Sequence, residues 1–251
     1  MHSYNLMLHA IDQEFERVID LGVGLGEHAR AFIATGSLVT GVDVRECHRD
    51  MVDHSLYKHV QCPIESLGFE EDDKPYDMVW CSHTLEHMPN VQFALRQMDG
   101  FLKEDGWLYI SVPSGSQDRL HVGHLTLWSP ALLIYNLICA GWDCSDALWY
   151  TNNQTIGLCV KKKQIADMTW RTGLPVEALE MNKYAPVNLK HEHGAWIANN
   201  WPWETGKRVI DPPMVTAGVQ ETNLPPQVQL AFGPNPKLRE GYERGVSTNK
   251  L

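Results

Sequence analysis

The stretch RVIDLGVGLGE, residues 17–27, decides how the rest of the chain is read. Arg17 to Leu21 is an apolar, β-branched run that suits a buried strand, and Glu27 to Thr35 behind it has helical character. Between them Gly22, Gly24 and Gly26 form a turn in which the backbone can approach a ligand closely. The spacing is G-x-G-x-G, and Glu27 stands where a dinucleotide fingerprint places its third glycine, which disfavours a nicotinamide or flavin. Asp20 at the strand end argues the same way. A carboxylate there opposes a pyrophosphate and favours a ligand that carries an ammonium group.

Outward from this turn, short apolar runs alternate with amphipathic ones. Strands are expected at Leu38 to Val42, Lys58 to Cys62, Met78 to Cys81, Trp107 to Val112, Trp142 to Tyr150 and Thr155 to Lys161, making seven with the first. Helices are expected at Val91 to Leu102, with Val91, Leu95, Met98 and Leu102 on one face, and at Pro130 to Ala140. The second has Ser129 as N-cap, Pro130 in its first turn and Gly141 just beyond its end. Strands separated by helices imply an α/β fold with a mostly parallel sheet, whose ligands sit at the carboxyl ends of the strands. Asp43 follows the second strand, some 21 residues beyond Gly22, where an acidic side chain can accept both hydroxyls of a ribose.

Composition narrows the class. Hydrophobic residues make up 43% of the 251 and charged residues 21%, enough for a sizeable core. No run of about 18 apolar residues is present, and the first residues lack the charge and apolar pattern of an export signal. Six scattered cysteines without a C-x-x-C pair suit reduced thiols, so the expected location is cytoplasmic. Residues 1–163 hold 22 Asp and Glu against 12 Lys and Arg, while residues 164–251 hold 9 of each. That acidic field repels a polyanion, and only Lys161, Lys162 and Lys163 make a basic run. Nucleic acid is therefore disfavoured as a partner.

Proline usage changes at the same point: 5 in residues 1–163 and 9 in residues 164–251. The first part is expected to be one domain and the second a mostly irregular extension, with at most short helices such as Pro175 to Asn182. Trp170, Trp196, Trp201 and Trp203 give this extension surface to pack on the domain or on a partner.

A ribose beside an amino-acid ammonium describes S-adenosylmethionine. Three segments, VIDLGVGLGEHARAFIATGSLVTGVDV, YDMVWCSHTLEHMPNVQFALRQMDGFLKEDGWLYISVPSG and GHLTLWSPALLIYNLICAGWD, resemble the class I S-adenosylmethionine-dependent methyltransferases, from about Arg17 to Lys162. The resemblance implies a Rossmann-like sheet of order 3-2-1-4-5-7-6 with strand 7 antiparallel, and a turn holding Asn152 and Asn153 between strands 6 and 7. It places Asp20, Gly22, Gly24 and Gly26 on the methionine part of the cofactor, Asp43 on the ribose and Val44 on one face of the adenine. Cys62 stands where the family often has an acidic residue for the adenine amine, which leaves that role to backbone near Ile64 or to Glu65. Cys81 and Ser82 would lie beneath the methionine and line the substrate side. The alternative without a ligand is that the glycines only make a tight turn and the aspartates cap helices.

Residues His83 to His87 read H-x-x-E-H, which alone is a zinc-peptidase signature, but a cofactor-binding strand runs into it and Pro89 limits any helix. Many family members instead carry a Glu-His pair here, and in small-RNA 2′-O-methyltransferases and ubiquinone-pathway O-methyltransferases such residues bind a divalent cation. The equivalent set is His83, Glu86, His87 and His124; no metal is assigned to it at this point. The plainer alternative is a structural pair of Glu86 and His87, with the ring fixed by a backbone partner. Acid–base catalysis is the third, with His121, His124 and His87 as the candidates near an acceptor. His191 and His193 in H-E-H are weaker candidates, since an irregular tail is their default home.

The expected function is methyl transfer from S-adenosylmethionine, giving S-adenosylhomocysteine, to a small molecule at oxygen, such as a sugar or another biosynthetic intermediate. The extension would then be a lid, a pocket wall or a homodimer contact. One rival is a metal-assisted nucleic-acid 2′-O-methyltransferase, opposed by the net charge of −10. The other is a non-catalytic scaffold that binds the cofactor or its product.

Overall fold

The computed structural model describes residues 3–47, 51, 54–68, 75–114, 121–152, 154–169 and 183–186. Among these, β1 (Arg17–Leu21), β2 (Leu38–Asp43), β3 (Tyr57–Gln61), β4 (Tyr76–Ser82), β5 (Leu102–Pro113), β6 (Leu148–Thr151) and β7 (Thr155–Lys161) make one sheet of order β3-β2-β1-β4-β5-β7-β6. Strands β1 to β5 pair in parallel and β7 runs antiparallel between β5 and β6, as the family order implied. Helices α1 (Tyr4–Ile11), α2 (Glu27–Ala34), α3 (Val91–Phe101) and α4 (Pro130–Cys139) cover it.

Two apolar layers hold the sheet. On one face Val18, Val39, Met78, Trp80 and Tyr109 meet Leu6, Met7 and Ala10 of α1 and Ala29 and Phe32 of α2. On the other, Ile19, Leu21, Val79, Cys81 and Ile110 meet Leu95 and Met98 of α3 and Leu133 and Leu137 of α4. Because both faces are covered, the central strands are buried almost continuously, which is why they appear in the sequence as unbroken apolar runs. The helix starts follow their caps: Asn90 accepts from the Phe93 N–H at 3.1 Å and Ser129 from the Leu132 N–H at 3.2 Å.

One expectation needs correction and one element is new. The strand expected from Trp142 to Tyr150 is confined to Leu148–Thr151. Asp143 turns the chain by accepting from the Ser145 N–H at 2.9 Å, and the Trp142 indole is drawn away to donate to the Leu95 carbonyl at 3.0 Å; Trp142 keeps a single bridge to Gln164. Helix α1 is an addition to the expected elements. In the β6–β7 turn, the Asn152 side chain accepts from the N–H groups of Gln154 and Thr155, at 2.9 and 2.8 Å; Asn153 lies outside the described residues.

The basic run is spoken for. Lys162 donates to the Leu102 carbonyl at 2.9 Å, Lys163 pairs with Asp143 at 2.8 Å and Lys161 lies over the Trp107 ring at 5.6 Å. Beyond β7, Ile165 and Ala185 are buried against the α3–α4 layer, with Met168 and Tyr184 packed beside them. The expected helix Pro175 to Asn182, residues Trp170, Trp196, Trp201 and Trp203, and His191 and His193 lie outside the described residues. No described helix is long and apolar enough to cross a membrane.

Candidate active site

The turn after β1 is built by backbone conformation. Gly22, Gly24 and Gly26 all take positive φ, at 79°, 56° and 77°. Gly22 is doubly constrained, since a Cβ there would overlap the Thr84 side chain just past β4. Its N–H and that of Val23 donate to the Val42 carbonyl at 2.8 and 3.1 Å, which ties the turn to the end of β2.

Asp20 sits under this turn, 2% exposed, and its Oδ2 has no hydrogen-bond partner among the described residues. Burial, reinforced by the neighbouring Asp43 carboxylate, pushes its pKa up to about 8. A buried carboxyl with an unused oxygen at the mouth of a glycine turn is suited to an incoming ammonium.

Asp43 behaves in the opposite way. Burial alone would raise its pKa, but hydrogen bonds from Arg45 and from the Gly24 N–H override that and hold it below the usual carboxylate range. The Arg45 backbone N–H and Nε reach Oδ1 at 3.0 and 3.1 Å, while Nη2 and the Gly24 N–H reach Oδ2 at 3.2 and 2.9 Å. The Arg45 side chain is 66% exposed, so it can swing into solvent and give up its two side-chain bonds to the buried carboxylate for those of a ribose diol. Arg45 carried no motif that marked it in the sequence.

Along the rim, Val44 is 64% exposed, open to one face of a ring. The Cys62 N–H donates to the Asp43 carbonyl at 3.0 Å, and the chain then makes a short 3-10 turn, Ile64–Ser66, with Ile64 buried and Glu65 half-buried beside it. Cys81 differs from expectation. It has no exposed surface and packs in the α3–α4 layer, so it supports the site from within the core and does not line the substrate side. Ser82, the next residue, points to the other face and is half-buried.

The second half of the site comes from two distant loops. His83 takes a positive φ of 51°, rare for a side chain with a Cβ, as the chain leaves β4. Glu86 and His87 follow in a 3-10 turn of three residues, Leu85–His87, too short for the peptidase signature to form on a helix. Glu86 is 1% exposed; its Oε1 faces His83 Nδ1 at 3.5 Å and His87 Nε2 at 3.8 Å, and its Oε2 is unpartnered among the described residues. The loop after β5 is laced to this turn by the Leu125 N–H, which donates to the Glu86 carbonyl at 2.7 Å. This brings His124 against His87, with ring centroids 5.0 Å apart, and exposed His121 against His124 at 5.1 Å.

His87 Nδ1 meets the Gly123 carbonyl at 2.8 Å, the backbone partner expected of a structural pair. The same contact fixes Nε2 toward Glu86, and one ligand atom from each of Glu86, His87 and His124 lies within 4.8 Å of the others. The pKa of His124 is lowered, first by burial and then by the neighbouring His87, His121 and His83, with Glu86 opposing, which favours the neutral, proton-accepting form of its imidazole.

Of the candidates named from sequence, the structure brings Asp20, Gly22, Gly24, Gly26, Asp43 and Val44 together on one side, and His83, Glu86, His87, His121 and His124 on the other. Thr84, Ser111, Thr155 and Ser3 join the site by folding alone. Thr155 Oγ1 lies 3.4 Å from His83 Nε2, and nothing in the sequence around it announced that contact.

Comparison with known proteins identifies the family and the fold. A family model described as a methyltransferase domain matches residues 3–178. The ubiquinone biosynthesis O-methyltransferase of Bordetella pertussis is 31% identical over 198 residues, 76% of this chain and 76% of that protein. The protein of the same name from Chromobacterium violaceum is 29% identical over 197 residues, covering 74% and 78%. The crystal structure of the Burkholderia thailandensis 1,6-didemethyltoxoflavin-N1-methyltransferase, with bound 1,6-didemethyltoxoflavin and S-adenosylhomocysteine, shares the fold at a TM-score of 0.53 and 22% identity, over 64% of this chain and 76% of that one.

Proposed function

The chain belongs to the methyltransferase-domain family of S-adenosylmethionine-dependent enzymes, and from that premise we propose that it methylates an oxygen of a small biosynthetic molecule. The observation that carries the cofactor half is Asp20: a buried carboxyl with a free oxygen beneath a three-glycine turn. The acceptor half rests on His124, held against His87 and His121 in the loop after β5, and on relatives named as O-methyltransferases.

Asp20 takes the ammonium of the cofactor, Asp43 its ribose and Val44 one face of the adenine. The methyl carbon bound to the sulfonium is already electrophilic. The protein has to hold the acceptor oxygen in line with the S–CH3 bond at about 3 to 3.5 Å and to exclude water. As the C–O bond forms and the S–C bond breaks, the acceptor proton passes to the imidazole of His124, which His87 and His121 flank; the thioether product leaves uncharged. Calorimetric titration with S-adenosylhomocysteine tests the first half, and methyl transfer from labelled cofactor to candidate phenols and alcohols tests the second. Binding without any product would favour the scaffold alternative.

A specific observation favours a second element. The convergence of Glu86, His87 and His124, with an unused Glu86 oxygen and the His87 ring held by a carbonyl, suits a divalent cation. Glu86, His87 and His124 would hold it, with His83 close by, and it would supply Lewis acidity toward an acceptor hydroxyl, His124 then serving as a ligand in place of its role as base. Activity that survives EDTA, in protein free of metal by elemental analysis, would leave acid–base catalysis alone in place.

Residues 164–251 complete the reading as a C-terminal extension that serves the acceptor pocket or a homodimer contact. Truncation after residue 186 should abolish turnover while cofactor binding persists, and sedimentation of both forms would report the dimer. We read the enzyme as cytoplasmic. The charge balance and the internal pairing of Lys162 and Lys163 speak against a nucleic-acid substrate.

A further inference from the structure

Ser3 occupies the N-cap position of α1, where a serine side chain ordinarily accepts from an N–H of the first helical turn; here it makes no such bond. Its hydroxyl is committed across the molecule instead. Ser3 Oγ lies 2.7 Å from Ser82 Oγ and 2.5 Å from Ser111 Oγ, and Ser111 Oγ donates to Ser82 Oγ at 2.8 Å. Ser3 and Ser111 have no exposed surface, whereas Ser82 is half-buried. A hydroxyl can donate once and accept twice. A closed triangle therefore uses all three donors and leaves an acceptor position on each oxygen, and Ser82 alone can offer its own to a ligand.

The position of Ser82 gives that offer a purpose. It is the last residue of β4, on the same face as Trp80, which is paired in register with Asp20. It is followed by the left-handed His83 and by Thr84, whose side chain abuts Gly22. Helix α1 is tied down a second time where His9 Nδ1 meets the Tyr109 hydroxyl at 2.9 Å, two residues before Ser111 on β5. The helix is thus fixed along one strand at both of its ends, and its N-cap, Ser3, meets the last residue of β4.

We propose that Ser3 is a positioning residue: through the hydroxyl triangle it pins α1 over the ends of β4 and β5 and aims the Ser82 oxygen at the methionine end of the cofactor. This rests on the S-adenosylmethionine reading above. Ser3 itself touches no reacting atom.

The test uses the full chain and S-adenosylhomocysteine. In calorimetric titration Ser3→Ala should weaken binding about three- to ten-fold, the equivalent of one hydrogen bond, with the far-ultraviolet circular dichroism unchanged. Ser82→Ala should weaken it by a similar factor, and the double variant no further than the weaker single one. Effects that multiply in the double variant, or a Ser3→Ala affinity equal to the unmodified protein's, would overturn the proposal. Should Ser3→Ala fail to fold, hydrogen exchange on the unmodified chain decides. Ligand should slow amide exchange in residues 4–11, and unchanged exchange there refutes the pin. Absence of binding by the unmodified protein would mark failure of the methyltransferase reading itself, and the pin would fall with it.

Discussion

The two halves of the site are made in different ways. The turn from Asp20 to Gly26 is one uninterrupted stretch, and its shape follows from three glycines with positive φ between a strand and a helix. The histidine shelf joins residues 83–87 to residues 121–125 through backbone bonds such as that from the Leu125 N–H to the Glu86 carbonyl, and it borders hydroxyls from β5, β7 and the start of the chain. A local turn tolerates change in its surroundings and little in itself. An assembled shelf has the reverse sensitivity, because each contact depends on strands and loops far away in sequence.

The sharpest way to separate the halves is to remove chemistry from one and leave the other intact. His124→Ala should lower kcat by about 10²- to 10⁴-fold, the usual worth of a positioned base, with S-adenosylhomocysteine affinity within error of the unmodified enzyme; exposed His121→Ala should cost far less. A parallel loss of cofactor affinity would show that the halves are not separable. The converse substitution is Gly22→Ala. It places a methyl group in the Thr84 side chain at a φ of 79°, and should cost about 1–3 kcal/mol of stability in urea denaturation together with about 100-fold in cofactor affinity.

Asp20→Asn keeps the shape and removes the charge. It should weaken cofactor binding about 10- to 100-fold, the range for a charged hydrogen bond, and chemical denaturation at pH 8 should find the empty variant at least as stable as its parent. The sign follows from Asp20 having a folded pKa near 8 against 3.8 in the unfolded chain. Its contribution to stability is fully present below the unfolded value and is lost as pH rises through about 8.

The most gradual effect is the pH dependence of binding. The empty site holds Asp20 protonated at neutral pH and the cofactor ammonium requires it ionised, so binding releases protons. Affinity should climb by at most about ten-fold per pH unit between pH 6 and 8. Titrations in buffers of different ionisation enthalpy measure that release directly, and Asp20→Asn should abolish it. A flat profile in the parent protein would mean that Asp20 is already ionised before the cofactor arrives.

Legibility tracks the same division. Strands β1 and β7 fell on their expected residues, and the sheet order followed once the glycine turn pointed to the family. Cys81 misled because β4 is central: alternation sends Cys81 and Ser82 to opposite faces, but both faces are covered, and sequence does not tell which of the two reaches the ligand. Trp142 resembled a strand residue until its indole found the Leu95 carbonyl, a partner 47 positions away. Helix α1 went unrecognised because eight residues with Leu6, Met7 and Ala10 inward give a short periodic signal.

The amino-acid order by itself determined the αβ alternation, the glycine turn with its two acidic neighbours, and so the kind of cofactor the protein takes. These depend on conformational limits and periodicities that act over a few residues. Only the tertiary structure decided that Asp20 keeps an unpaired oxygen while Arg45 covers Asp43, that His124 lies against His87, and that Ser3 reaches Ser82 and Ser111. Burial and pairing belong to the space between elements, and the packing of α1 and of the β5 loop onto the sheet sets that space.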